Sequence, residues 1–226
     1  MHTPHVDSPP RPPRPPHHRP AARFVGVLAP FSVLLLALVA VEWRPLTEAD
    51  GDISRTTHRW AVAEPGLTQV CRILTDWVWD PWTMRLLCGA VALLLALRYA
   101  ARWTAWWLVV TCAAATALQQ GLKAAVGRAR PVWPDPVDSA HYAAFPSGHA
   151  MTATVVLGLL LWLLHRRGVG RVLWHTVLTL AVVSVIGVGL TRVWLGVHWP
   201  TDVVGGWLLG TLVVTVAVWA HRRRHP

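Results

Sequence analysis

The chain has 226 residues, 54% hydrophobic and 14% charged, a balance that excludes an ordinary water-soluble domain because so much apolar surface must face lipid. Its 21 Lys and Arg against 11 Asp and Glu give a formal charge of +10, which on its own suits nucleic acid or anionic lipid headgroups. Long apolar runs decide for the bilayer and leave no role for nucleic acid. Three cysteines, Cys71, Cys88 and Cys112, without a CxxC pair, read as packing residues rather than a disulfide framework.

Residues 1–23 carry eight prolines with Arg11, Arg14, Arg19 and Arg23, a composition that predicts an extended basic tail on the cytoplasmic side. Residues 24–41 are almost wholly apolar and end without a small-x-small cleavage pattern, so they predict a retained first span. The mixed stretch 42–81 predicts short helices outside the bilayer or at its surface. A second span over 81–97 requires Arg85 to snorkel towards a headgroup. Spans over 103–118, 150–164, 172–190 and 203–220 follow, giving one six-span domain, 24–220, and a basic cytoplasmic end, 221–226.

Basic residues set the orientation. The tail, the turn Arg98 to Arg102, the turn with Arg166, Arg167 and Arg171, and the run Arg222, Arg223, Arg224 all fall on one side, which the positive-inside rule makes cytoplasmic. The expected fold is therefore an all-α polytopic membrane bundle with six transmembrane helices. Loops 42–81, 121–149 and 191–200 face outwards, and any chemistry in them faces outwards too. The abundance of Ala, Arg, Pro, Val and Trp suggests a bacterial plasma membrane. Most of the 15 tryptophans flank spans, as interfacial anchors do.

Three polar clusters fall on that outer face. Lys123 and Arg130 are seven apart at the exit of the third span, so on a continuing helix they point the same way and can hold one phosphate between them. In Phe145-Pro146-Ser147-Gly148-His149, Ser147 suits an N-cap, and the Gly148 and His149 N–H groups face an anion at the positive end of a helix dipole. In the segment from Thr191-Arg192 to His198-Trp199-Pro200-Thr201-Asp202, Pro200 suits the first position of a helix. Asp202 then lies in the first turn and can accept a hydrogen bond from one His198 nitrogen, leaving the other free as nucleophile.

Lys123 through Arg130-Pro131, Pro146 to His149, and Arg192 with His198 and Asp202 resemble the three-part signature of the type 2 phosphatidic acid phosphatase superfamily, whose site is related to that of vanadium haloperoxidases. The resemblance covers roughly residues 82–220 and departs at Thr191, where the family usually has serine; Arg128 matches a basic residue of many relatives. It implies a lipid phosphatase that works through a phosphohistidine. His198 is the nucleophile, His149 the acid and then base, and Asp202 the orienting carboxylate. Lys123, Arg130, Ser147, Gly148 and Arg192 bind the phosphate, and neither metal nor other cofactor takes part. The implied partners are the bilayer and a membrane lipid phosphate: a polyprenyl (undecaprenyl) diphosphate or phosphate, phosphatidic acid or phosphatidylglycerol phosphate. The alternative is a non-catalytic phospholipid-binding or lipid-moving protein on the same fold, against which stand two intact histidines, the aspartate and the cations.

Overall fold

The computed structural model describes residues 19–224, and among these there are helices and loops but no strand. The elements are α1 (Arg19–Ala40), α2 (Arg44–Ala63), α3 (Pro65–Ile73), a π-helical turn (Leu74–Val78), α4 (Pro81–Arg98), α5 (Arg102–Val126), α6 (Gly148–Arg166), α7 (Arg171–Trp194) and α8 (Pro200–Arg224). Residues 1–18 of the expected tail, with His2, His5, His17 and His18, lie outside the described residues, as do His225 and Pro226. Where the tail was expected to run to residue 23, helix already begins at Arg19.

Among the described residues, five helical stretches are long and apolar enough to cross a membrane: Ala22–Ala40, Pro65–Arg98, Gly148–Arg166, Arg171–Trp194 and Pro200–Arg224. Helix α5 is not among them, because Lys123, Gln119, Gln120 and its threonines dilute its apolar residues. It is nonetheless packed against α4, α6 and α8. Large apolar side chains on α1, α4 and α7, including Phe24, Phe31, Leu86, Leu97, Val172 and Leu180, are at least half exposed, as a lipid-facing surface requires. The chain is a helical membrane protein.

Helix α6 is the axis of the bundle, with Ala150, Met151, Ala153, Val155, Val156 and Leu159 all buried. It packs most extensively on α8, and small residues allow the approach. A Cβ on Gly206 would stand 2.9 Å from the Ser147 carbonyl oxygen and 3.1 Å from the Met151 nitrogen, and one on Gly210 would stand 2.8 Å from the Thr154 Cβ. The N-terminus of α6 is thereby fixed against the first turns of α8.

Local chemistry sets the helix ends. Asp80 caps α4, its carboxylate accepting from the backbone N–H of Trp82 at 2.7 Å and Thr83 at 3.1 Å, with Pro81 at the first helical position. Gly127, at φ 61°, closes α5 in the left-handed conformation. The helix thus stops before Arg130, so Lys123 and Arg130 do not share a helical face as their spacing suggested. Basic turns cluster at the far end of the bundle, where Arg167 lies 4.3 Å over the Tyr99 ring and Arg224 5.7 Å over the Trp107 ring. The loops 127–147 and 195–199 lie at the opposite end, with α2 packed across α7 and α8.

Candidate active site

At that end a cavity of about 370 Å³ opens, and Lys123, Arg130, Gly148, His149, Arg192 and His198 all line it. Three segments far apart in sequence therefore meet at one place. Ser147 and Asp202 do not line the cavity: both are fully buried, Ser147 behind Gly148 and Asp202 behind His198.

His198 sits in the short connection between α7 and α8, with 1% of its surface exposed. Its Nδ1 lies 3.3 Å from Asp202 Oδ2, and its Nε2 lies 3.1 Å from Arg130 Nη1. These contacts define the tautomer. Nδ1–H donates to the carboxylate, and the Nε2 lone pair accepts from the guanidinium and faces the cavity. Burial, reinforced by Arg130, Arg192 and Lys123, holds this imidazole well below its ordinary pKa of 6.5, so it is neutral with its lone pair available.

The expected helix start at Pro200 is observed, and Asp202 lies in the first turn. Its carboxylate also accepts from the Trp199 N–H at 2.9 Å, and its other oxygen from Arg128 Nη1 at 2.6 Å. Arg128 continues to Asp50 Oδ2 at 2.7 Å and to the Thr201 hydroxyl at 2.7 Å, while the Thr201 N–H donates to Asp50 Oδ1 at 3.0 Å. All three charged side chains are at least nine-tenths buried. The chain Asp50–Arg128–Asp202–His198 carries two negative charges and one positive charge behind the imidazole, a net negative field on the side away from the cavity.

Arg130 lines the cavity but is already engaged: it donates through Nε to the Tyr142 carbonyl at 2.9 Å, through Nη2 to the His141 carbonyl at 3.1 Å, and through Nη1 to the Val197 carbonyl. It ties loop 127–147 to the His198 connection. Burial lowers its pKa from the usual guanidinium value. Lys123 donates to the Ala143 carbonyl. Arg192 is 4% exposed, its Nη1 lies 3.9 Å from Asp138 Oδ2, and its Nε is buried without a partner among the described residues. The Ser147 hydroxyl is likewise buried and unpartnered; Ser147 stands at the N-cap of α6, yet its side chain caps nothing. Two orphaned donors beside a cavity lined by four Lys and Arg and by Asp76, Asp80 and Asp138, next to the free N–H groups of a helix start, fit an anion with several oxygens.

Sequence reasoning missed the frame around these residues. On α2, Asp50, Ser54, His58 and Ala61 are buried at helical spacing, a mostly polar stripe that reads as a solvent face. His58 stacks on Trp133 at 4.2 Å and lies 3.0 Å from Asp135, while Trp133 donates to the Gly196 carbonyl at 2.8 Å. Gly196, at φ 68°, leaves no room for a Cβ, which would stand 2.5 Å from Trp133 Nε1. Thr191, the departure from the family pattern, bonds Thr75 at 2.7 Å and the Val188 carbonyl at 2.9 Å, so its hydroxyl serves packing.

A buried, oriented histidine, a second histidine and a ring of cations in a helical membrane bundle define the class of a phosphate-handling membrane protein. The family model described as PAP2 superfamily matches residues 104–226. The chain belongs to the PAP2 superfamily. It is 28% identical to phosphatidylglycerophosphatase B of Bacillus subtilis (strain 168) over 196 residues, which cover 81% of this chain and 88% of that protein. It is 37% identical to decaprenylphosphoryl-5-phosphoribose phosphatase of Mycobacterium tuberculosis (strain ATCC 25618 / H37Rv) over 137 residues, 58% of this chain and 67% of that one. Among solved structures, a transmembrane PAP2 type phosphatidylglycerolphosphate phosphatase from Bacillus subtilis matches with a TM-score of 0.69 at 24% identity, covering 89% of this chain and 97% of that chain, which shows the shared fold. The chain is a membrane phosphatase, a phosphoric ester hydrolase.

Proposed function

We propose that this protein removes the terminal phosphate from a membrane lipid, a polyprenyl diphosphate or phosphate or a glycerolipid phosphate, through a phosphohistidine on His198. The observation that carries this is the setting of His198: neutral, its Nδ1 proton committed to Asp202, its Nε2 lone pair facing a cavity whose lining includes Lys123, Arg130 and Arg192. When the substrate phosphate enters, Arg130 transfers its Nη1 hydrogen bond from Nε2 to a phosphate oxygen, which exposes the lone pair. Nε2 then attacks phosphorus in line. The bond to the lipid oxygen breaks, and His149 gives that oxygen its proton. Water attacks next, His149 takes the water's proton, the P–N bond breaks, and inorganic phosphate leaves with His198 neutral again.

Lys123, Arg130 and Arg192 bind the equatorial oxygens, and the Gly148 N–H completes the cradle at the positive end of α6, with the unpartnered Ser147 hydroxyl buried behind it as a donor that reaches the phosphate only if its side chain turns towards the cavity. Asp202 offsets the positive charge that develops on the imidazole. In this reading the phosphate is held by Lys, Arg, Ser and backbone N–H donors, and no step calls on a metal ion.

Counting α5 as a span, the bundle crosses the membrane six times, within residues 24–220. The Arg-rich turns then lie in the cytoplasm with both termini, and the cavity opens on the outer face of a bacterial plasma membrane. The test is phosphate release by detergent-purified protein, with EDTA, from phosphatidic acid, phosphatidylglycerol phosphate and undecaprenyl diphosphate. Release that persists in EDTA and is lost in His198→Ala supports the proposal; release unchanged by that substitution overturns it.

A further inference from the structure

Arg85 is a lone cation in the first turns of α4, where the sequence predicted a side chain reaching out to a headgroup. It turns inward instead. It lines the cavity that holds His149 and His198, and its Nε is buried without a hydrogen-bond partner among the described residues. The nearest acid in sequence, Asp80, has its Oδ2 occupied by capping α4. Asp76, Asp80 and Asp138 line the same cavity and the Trp82 ring lies 5.5 Å from the Arg85 Cζ, but among the described residues no carboxylate forms an ion pair with this guanidinium, which therefore gains from an anionic ligand.

The same guanidinium also borders a second space, a groove of about 520 Å³ between α4 and α5. Trp82, Arg85 and Gln120 line both, so cavity and groove adjoin at Arg85. Beyond it the groove is small and apolar: Cys88 and Gly89 of α4 face Val109, Ala113, Thr116 and Ala117 of α5 at helical spacing. A Cβ on Gly89 would meet nothing within 4 Å. Going outward from the histidines, the wall thus presents the phosphate cations, then a guanidinium whose Nε has no hydrogen-bond partner among the described residues, then an adjoining apolar groove.

A substrate that matches this order has a terminal phosphate, an anionic group next to it, and then a lipid tail. We propose that Arg85 binds a second phosphate of the substrate, on the lipid side of the one cleaved, with the tail between α4 and α5; the chain then prefers lipid diphosphates, or phosphodiester lipids bearing a terminal phosphate, over lipid monophosphates. This rests on the phosphatase reading and narrows it. Arg85 gives bidentate recognition of that inner phosphate, in place of the backbone and Lys123 contacts that hold the outer one.

Binding of non-hydrolysable analogues tests this without turnover. Farnesyl methylenebisphosphonate and farnesyl phosphonate are titrated against wild type, Arg85→Gln and Arg85→Lys by calorimetry in detergent. Wild type should prefer the bisphosphonate by about 10- to 100-fold, the range for a charge-assisted hydrogen-bonded pair. Arg85→Gln should lose most of that preference with monophosphonate affinity unchanged, and Arg85→Lys should keep part of it. Gly89→Leu should weaken both farnesyl ligands but not methylenebisphosphonate with a methyl tail. Equal affinity of wild type for the two farnesyl ligands, or a preference that survives Arg85→Gln, overturns the assignment. Phosphate release from farnesyl diphosphate is measured in parallel: its absence in wild type counts against the phosphatase reading and leaves the binding result to decide on Arg85.

Discussion

Replacing Arg128 by methionine removes the one positive charge between two buried carboxylates while keeping most of the side-chain volume. Asp50 and Asp202 have side chains 2% and 0% exposed, so neither can recruit bulk water once the guanidinium is gone. Breaking a buried ion pair from one side costs about 3–5 kcal/mol, a large part of the roughly 5–15 kcal/mol that holds a domain folded. At roughly 2–4 °C per kcal/mol for a chain of this size, thermal unfolding in detergent should fall by about 6–20 °C. Asp50→Asn alone, which leaves Arg128 paired with Asp202, should cost less. The double variant should lose less than the sum of the two, by at least about 1 kcal/mol, because it removes one of the stranded charges. A midpoint for Arg128→Met within about 2 °C of wild type would refute this account, since the network would then carry no net stabilisation.

Asp202→Asn keeps the shape but removes the charge behind the imidazole and scrambles its tautomer, so kcat should fall by up to about 10⁴-fold with little change in KM. Because His198 is held well below its ordinary pKa, the nucleophilic neutral form persists as pH falls through 6.5. After correction for the substrate's own ionisation, the pH profile of kcat/KM should show no acid limb near 6.5, and one assigned to His198 there would contradict the burial argument. Gly206→Val should destabilise the bundle by about 1–3 kcal/mol in detergent unfolding and lower activity, since its branches meet the Ser147 carbonyl and displace the start of α6.

The sequence announced its chemistry more plainly than its scaffold. Ionisable residues beside apolar runs stand out because a membrane protein keeps few of them, and Lys123, Arg130, Gly148, His149, Arg192 and His198 all reach one cavity. Helix α6 starting at Gly148 and helix α8 starting at Pro200 follow from local rules for caps and proline. Lys123 and Arg130 were read as helical neighbours, but Gly127 ends α5 first, and they meet through loop carbonyls instead. The roles of Asp50, Arg128 and His58 depend on contacts across 74 to 151 residues of chain, which no local pattern encodes. Arg85 was visible as an oddity, but only the packing of α4 on α5 shows that it turns inward.

That contrast bears on what the family match contains. The matched segment, 104–226, holds all eight residues assigned to phosphate binding and catalysis, but not Asp50 or Arg85. Asp50 bonds Arg128 and Thr201 from α2, so the field behind His198 depends on a helix outside that segment. Arg85 comes from α4 and meets the cavity from the lipid side. The residues proposed to handle the transferred phosphate thus lie in one part of the chain, while Asp50, behind the nucleophile's carboxylate, and Arg85, proposed to read the rest of the substrate, come from before it. Substitutions at those eight residues should therefore change the rate for every substrate alike. Changes at Arg85 and Gly89 should alter which lipid is taken, and a panel of lipid phosphates assayed against both sets separates the two effects.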